Sequence, residues 1–132
     1  MPSFNARSNE KLETCHVDLQ RLFRYVVGYF DCSVLCGHRG MDEQNALFHA
    51  KPPKTTLQWP DGKHNSLPSL AVDVAPFPIN WNNLKRFYYF GGFVKGISGL
   101  MGIDIRWGGD WDSDTLITDQ SFNDLPHFEL VH

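Results

Sequence analysis

The chain has 132 residues, 42% of them hydrophobic and 20% charged, with a formal net charge of −3. That length suits one domain with a real core, and the composition is that of a folded, soluble chain rather than a disordered one. The mild acidity excludes a general nucleic-acid binder, no apolar run is long enough to span a membrane, and residues 1–20 lack the apolar core of a secretory signal.

In chain order, Ser8 is the predicted N-cap of a helix from Asn9 to Tyr29, with Leu12, Leu19, Leu22, Phe23, Val26, Val27 and Phe30 as its apolar stripe. The segment CSVLCG reads as a short buried strand and MDEQNALFHA as a brief helix. Residues 51–69, rich in Pro, Gly and polar side chains, read as loop. A strand over Leu70–Pro76 follows, then a helix within residues 79–102 despite its glycines. Its aromatics, Trp81, Phe87, Tyr88, Phe90 and Phe93, are assigned to the core. IDIRWGG is a strand, residues 110–124 a polar loop, and HFELV a closing strand. Helices and strands mix without regular alternation, which predicts an α+β fold. Cys15, Cys32 and Cys36 cannot all pair within one chain and read as reduced thiols rather than as a zinc set.

The strand LAVDVA carries one acid, Asp73, in a run apolar on both faces. An ionised carboxylate there is costly unless something compensates it. His64 lies upstream across a proline-bearing loop. In the closing strand, alternation puts His127, Glu129 and Val131 on one face and Phe128 and Leu130 on the other, with Asp124 three residues before His127. Two imidazoles and one carboxylate, all near strand ends, suit a catalytic zinc site of three N/O ligands. A divalent cation would compensate Asp73 and leave Asp124 as the acid that moves protons. The plain alternative is an Asp that caps a turn and two satisfied histidines. Spacing alone leaves both open, because the pattern is looser than a helical HExxH.

KHNSLPSLAVDVAP followed by DLPHFELV resembles the zinc peptidases of the D-alanyl-D-alanine carboxypeptidase and hedgehog-like superfamily, and within it the phage L-alanyl-D-glutamate endopeptidases that act as endolysins. RWGGDW at residues 106–111 also fits, and the resemblance runs from about Leu19 to Val131. It implies a small antiparallel sheet that carries the zinc site, flanked by helices. It implies His64, Asp73 and His127 as zinc ligands, Asp124 as general base and acid, and Arg39 as the group that holds the scissile carbonyl and its oxyanion. Gln44 is expected to help orient substrate. Gly62 stands where the family commonly has Ser, so a hydroxyl contact to substrate falls to Ser66 or Ser69.

The implied function is hydrolysis of peptidoglycan stem peptides at the L-Ala–D-Glu bond, in phage host lysis. One catalytic domain is expected over residues 1–132, without a wall-binding domain. A monomer is expected, made in the host cytoplasm without a signal peptide and released through a membrane pore of the holin type. A D-alanyl-D-alanine carboxypeptidase or dipeptidase, and a non-catalytic zinc domain that binds peptidoglycan or a protein, are the competing readings. Asp110, Asp112 and Asp114 alternate like the start of a calcium loop, but the Gly at the sixth position and the closing Glu are absent. A solvated acidic loop is expected there, with Ca2+ as the alternative.

Overall fold

The computed structural model describes residues 1–118 and 123–131; the 119–122 part of the expected polar loop lies outside the described residues. In chain order the elements are α1 (Ala6–Leu12), α2 (Val17–Val27), β1 (Cys32–Cys36), α3 (Met41–His49), a 3-10 turn (Lys63–Asn65), β2 (Ala71–Pro76), α4 (Leu84–Met101), β3 (Ile105–Gly108) and β4 (Asp124–Leu130). The strands form one antiparallel sheet in the order β1-β2-β4-β3. The fold is therefore α+β, as the mixed element pattern predicts.

The expected single N-terminal helix is two. Asn5, not Ser8, caps α1, its side chain accepting from Ser8 N at 2.9 Å. Ser8 is buried instead, and its Oγ accepts from Val34 N at 3.0 Å, tying α1 to β1. The chain breaks between α1 and α2 because residues 14–16 pair with a distant loop: Ser69 N donates to Thr14 O and His16 N to Ser69 O, both at 2.8 Å. The apolar stripe keeps its phase across the break, which is why periodicity alone shows one helix.

Strand alternation divides the sheet cleanly. Val72 pairs with Phe128, and both point into the core. Phe128 is fully buried between Phe23 of α2 (ring centroids 5.3 Å), Phe90 of α4 (6.1 Å) and Trp107 of β3 (6.4 Å). The neighbouring register pair, Asp73 and His127, therefore occupies the opposite face. Trp81, expected in the core, is 57% exposed; it precedes α4 and stacks on Phe87 at 5.3 Å. Phe87 and Phe90 are buried as expected, while Tyr88 and Phe93 pack partly buried against the core.

At Gly37, just after β1, a Cβ would lie 2.3 Å from both Lys11 O and Thr14 Oγ1. Only glycine permits β1 to leave the sheet this close to the end of α1. Two stability effects are expected. Phe128→Ala should lower unfolding free energy by about 3–5 kcal/mol through lost burial and a cavity. Gly37→Ala should cost about 1–3 kcal/mol through overpacking. Denaturant unfolding followed by circular dichroism checks both, and wild-type midpoints would contradict this packing.

Candidate metal centre and active site

Asp73 sits mid-strand in β2, its flanks fixed by the buried Val72 and Val74. Its Oδ1 lies 3.2 Å from His64 Nε2 and 3.2 Å from His127 Nδ1. Its Oδ2 lies 3.6 Å from the Arg39 guanidinium. The partners of the buried acid are thus two histidines and an arginine, brought from three segments of chain.

Each histidine is held on its far side. His64 comes from the 3-10 turn, and its Nδ1 lies 2.7 Å from Gly37 O and 3.9 Å from Cys36 Sγ. A register irregularity between Val34 and Cys36 in the β1–β2 pairing precedes that carbonyl. His127 comes from β4, and its Nε2 lies 2.8 Å from Glu129 Oε1. With the far nitrogens so engaged, His64 Nε2 and His127 Nδ1 are the ones that face Asp73.

His64, Asp73 and His127 each offer a ligand atom within 4.8 Å of the other two, so the group can hold a metal ion. The chemistry fits. A tetrahedral ion with bonds of about 2.0–2.1 Å spaces its ligand atoms roughly 3.3 Å apart, close to the 3.2 Å of both histidine–carboxylate contacts. Without an ion, the same atoms satisfy one another electrostatically. Burial opposes charge on His64, but its bonds to Asp73 and Cys36 outweigh it and raise its pKa to about 10. Burial likewise opposes charge on His127, and its bonds to Asp73 and Glu129 raise its pKa to about 9. Burial works against the Asp73 carboxylate, yet the two histidines hold its pKa well below the usual carboxylate range. Two protons therefore stand where an ion would.

Asp124 opens β4, and its Oδ2 is 3.9 Å from His127 Nδ1. Its side chain is 36% exposed, the most open of these groups. Burial first, and then the negative charge of Asp73, raise its pKa above the ordinary value. Arg39 follows β1, its NH1 donating to Gln44 Oε1 at 3.0 Å and its NH2 to Cys36 Sγ at 3.6 Å. Its Nε is buried with no hydrogen-bond partner among the described residues. These groups line a cleft of about 650 Å³, whose walls also carry Lys54, Leu57, Arg106 and Trp111. That volume is in the range of ligand-binding clefts.

Three expected substrate contacts lie elsewhere. Gln44 is 1% exposed, and its amide nitrogen donates to Leu57 O at 2.6 Å while its oxygen accepts from Arg39 and Asn65. It props Arg39 and the 55–57 rim rather than facing substrate. Ser69 is fully buried, donating to Ala71 O at 2.7 Å, so its hydroxyl cannot reach a ligand. Ser66 is exposed but donates to Pro68 O and stands outside the cleft lining.

Asp110, Asp112 and Asp114 also bring ligand atoms within 4.8 Å of one another. Asp112 and Asp114 are exposed, and Asp110 is buried with Oδ2 accepting from Thr115 N at 2.9 Å. The same loop presents Trp111, whose ring is 5.4 Å from that of His127. Trp111 and Lys63 also line the cleft, although the sequence motifs do not single them out, and Glu129 joins them from the His127 face of β4. Alternation with His127 was the signal for Glu129, and adjacency to His64 the one for Lys63.

The structure is similar to the crystal structure of the L-Ala D-Glu endopeptidase ChiX of Serratia marcescens, at 30% identity and a TM-score of 0.73, over 97% of this chain and 89% of that one. No curated protein matches the chain. Residues 2–131 match the family described as phage L-alanyl-D-glutamate peptidase. With that match spanning the sheet, the cleft and every residue of the histidine–aspartate cluster, the chain belongs to the phage L-alanyl-D-glutamate peptidase family.

Proposed function

We propose that this chain is a zinc-dependent endopeptidase that cuts the L-Ala–D-Glu bond of peptidoglycan stem peptides during phage-driven host lysis. The observation that carries this reading is the convergence of His64 Nε2, Asp73 Oδ1 and His127 Nδ1 on the wall of a cleft beside Asp124. Zinc held by these three residues would supply Lewis-acid chemistry, lowering the pKa of a water and polarising a carbonyl.

The remaining work falls to the chain's own side chains. The stem peptide lies in the cleft with its scissile carbonyl toward Arg39, whose guanidinium faces the negative charge that develops on the carbonyl oxygen. Asp124 accepts the proton lost by the attacking water as the new C–O bond forms. It returns that proton to the departing amine nitrogen as the C–N bond breaks. Its raised pKa favours the acceptance step, since a more acidic carboxyl would hold the water's proton too weakly. Gln44 keeps Arg39 aimed, and Trp111 closes the side of the cleft over His127. The same reading makes residues 1–132 one catalytic domain, acting as a monomer. It is synthesised in the host cytoplasm and reaches the wall through a holin-type pore. No helix among the described residues is long and apolar enough to cross a membrane.

Three outcomes test this reading. Mass spectrometry of peptidoglycan incubated with the protein should show peptides newly beginning at D-glutamate, and a zinc chelator should suppress them. Release of D-alanine alone would move the chain to the carboxypeptidase class, and a zinc-loaded protein without products would be a binding module. Asp124→Asn should lower kcat by about 10²–10⁴-fold while zinc content stays at one per chain; retained activity would remove Asp124 from the mechanism. Finally, His64 and His127 carry protons at pH 7 in the metal-free protein, because their pKa values are about 10 and about 9. Zinc must displace both, so affinity should rise with pH, by up to about 100-fold per unit between pH 6 and 8. Calorimetry in buffers of different ionisation enthalpy counts the protons released, and a count of zero would contradict the assigned ligands.

A further inference from the structure

We propose that Glu129 is a positioning residue of the metal centre: it fixes the tautomer and the ring orientation of His127, and is itself fixed by Lys63 and Arg106. The inference rests on the metal-site reading above and assigns a part of that site which the ligand set alone leaves undetermined.

A neutral imidazole carries its proton on one nitrogen or the other, and a metal needs the bare one. His127 Nδ1 is the nitrogen beside Asp73 Oδ1, so for it to ligate a metal shared with Asp73 the proton must stay on Nε2. Glu129 Oε1 lies 2.8 Å from that Nε2, and an ionised carboxylate only accepts. The pairing therefore selects the tautomer with a bare Nδ1. It also sets the ring plane, because Phe128, locked in the core between the two residues, leaves β4 no freedom to rotate.

Glu129 is held in turn. Its Oε2 lies 3.3 Å from Lys63 Nζ and 3.8 Å from Arg106 NH1. Arg106 is its register partner in β3. Lys63 immediately precedes His64 and also donates to Leu130 O, so one lysine fastens the turn bearing His64 to the strand bearing His127. Both histidines are thus oriented from behind, His64 by the Gly37 carbonyl at 2.7 Å and His127 by this carboxylate. Carboxylate–histidine–metal arrangements of this kind tune affinity without touching the ion.

The test compares wild type, Glu129→Ala and Glu129→Gln in zinc competition against a chromophoric chelator, together with 15N NMR of the histidine rings in the zinc-loaded protein. Glu129→Ala should weaken zinc binding by about 10–100-fold. Glu129→Gln, whose amide oxygen still accepts, should lose less. Wild type should show His127 protonated only at Nε2, and the alanine variant a shifted or exchange-broadened Nε2 signal. Circular dichroism checks that both variants fold, and the glutamine variant carries the test where alanine does not fold. Zinc affinity within twofold of wild type, or lower stability with the His127 signal unchanged, would reduce Glu129 to a strut for Lys63 and overturn the proposal. A wild-type protein that takes up no zinc would instead overturn the metal-site reading, and with it this one.

Discussion

A carboxylate in the middle of an apolar strand organises this molecule. Asp73 is held on the cleft face of β2, because Val72 and Val74 on either side are sunk in the core. Left alone, its charge would cost several kcal/mol of burial. Its compensation comes from His64, His127 and Arg39, which lie in the 3-10 turn, β4 and the segment after β1. His64 lies nine residues from Asp73 in sequence, whereas His127 lies fifty-four away and reaches it through the pairing of β2 with β4. The β2–β4 register that sets Asp73 opposite His127 is thus part of both the sheet and the site.

The sheet serves both purposes because strand alternation separates them residue by residue. On β4, Phe128 and Leu130 hold the strand against α2, α4 and Trp107, while His127 and Glu129 face the cleft. On β2, Asp73 has the same relation to its neighbours. A ligand seated this way has little freedom, since any roll of its strand must disturb a fully packed aromatic. The cleft rim is built differently. Arg39 and the 55–57 segment follow irregular backbone and are held by the buried amide of Gln44, with Asn65 bridging Gln44 and the Arg39 carbonyl.

The strands were legible in the sequence because alternation is a local rule, whereas spacing left the histidine–aspartate cluster open and the family resemblance supplied it. Period-two alternation placed His127 beside Glu129 and opposite Phe128, and an acid amid LAVDVA asked for a partner. What escaped was decided by contacts between distant segments. The break between α1 and α2 follows from pairing with Ser69, more than fifty residues away, where the apolar stripe itself gives no sign. Gln44 and Ser69 are polar and lie near the motif, so they suggested substrate contacts; the fold turns both inward to satisfy backbone and guanidinium. Trp81 looked like core by composition, but it lies ahead of α4 and rests on Phe87 from outside. The Gly37 carbonyl on His64 was invisible because a carbonyl has no residue type to announce it.

Two acids flank His127, and their environments drive them apart. Burial penalises both, but Asp73 has two histidines in direct contact, whereas Asp124 stands 3.9 Å from one and feels the charge of Asp73 besides. Asp73 is consequently held ionised, the state a ligand requires, while Asp124 is pushed toward the range in which a carboxylate both takes and gives a proton. Opposed shifts in a pair of neighbouring acids are a physical basis for dividing roles between them. In the proposed mechanism the division between ligand and base therefore rests on which carboxylate the histidines reach, and the register of β2 against β4 decides that.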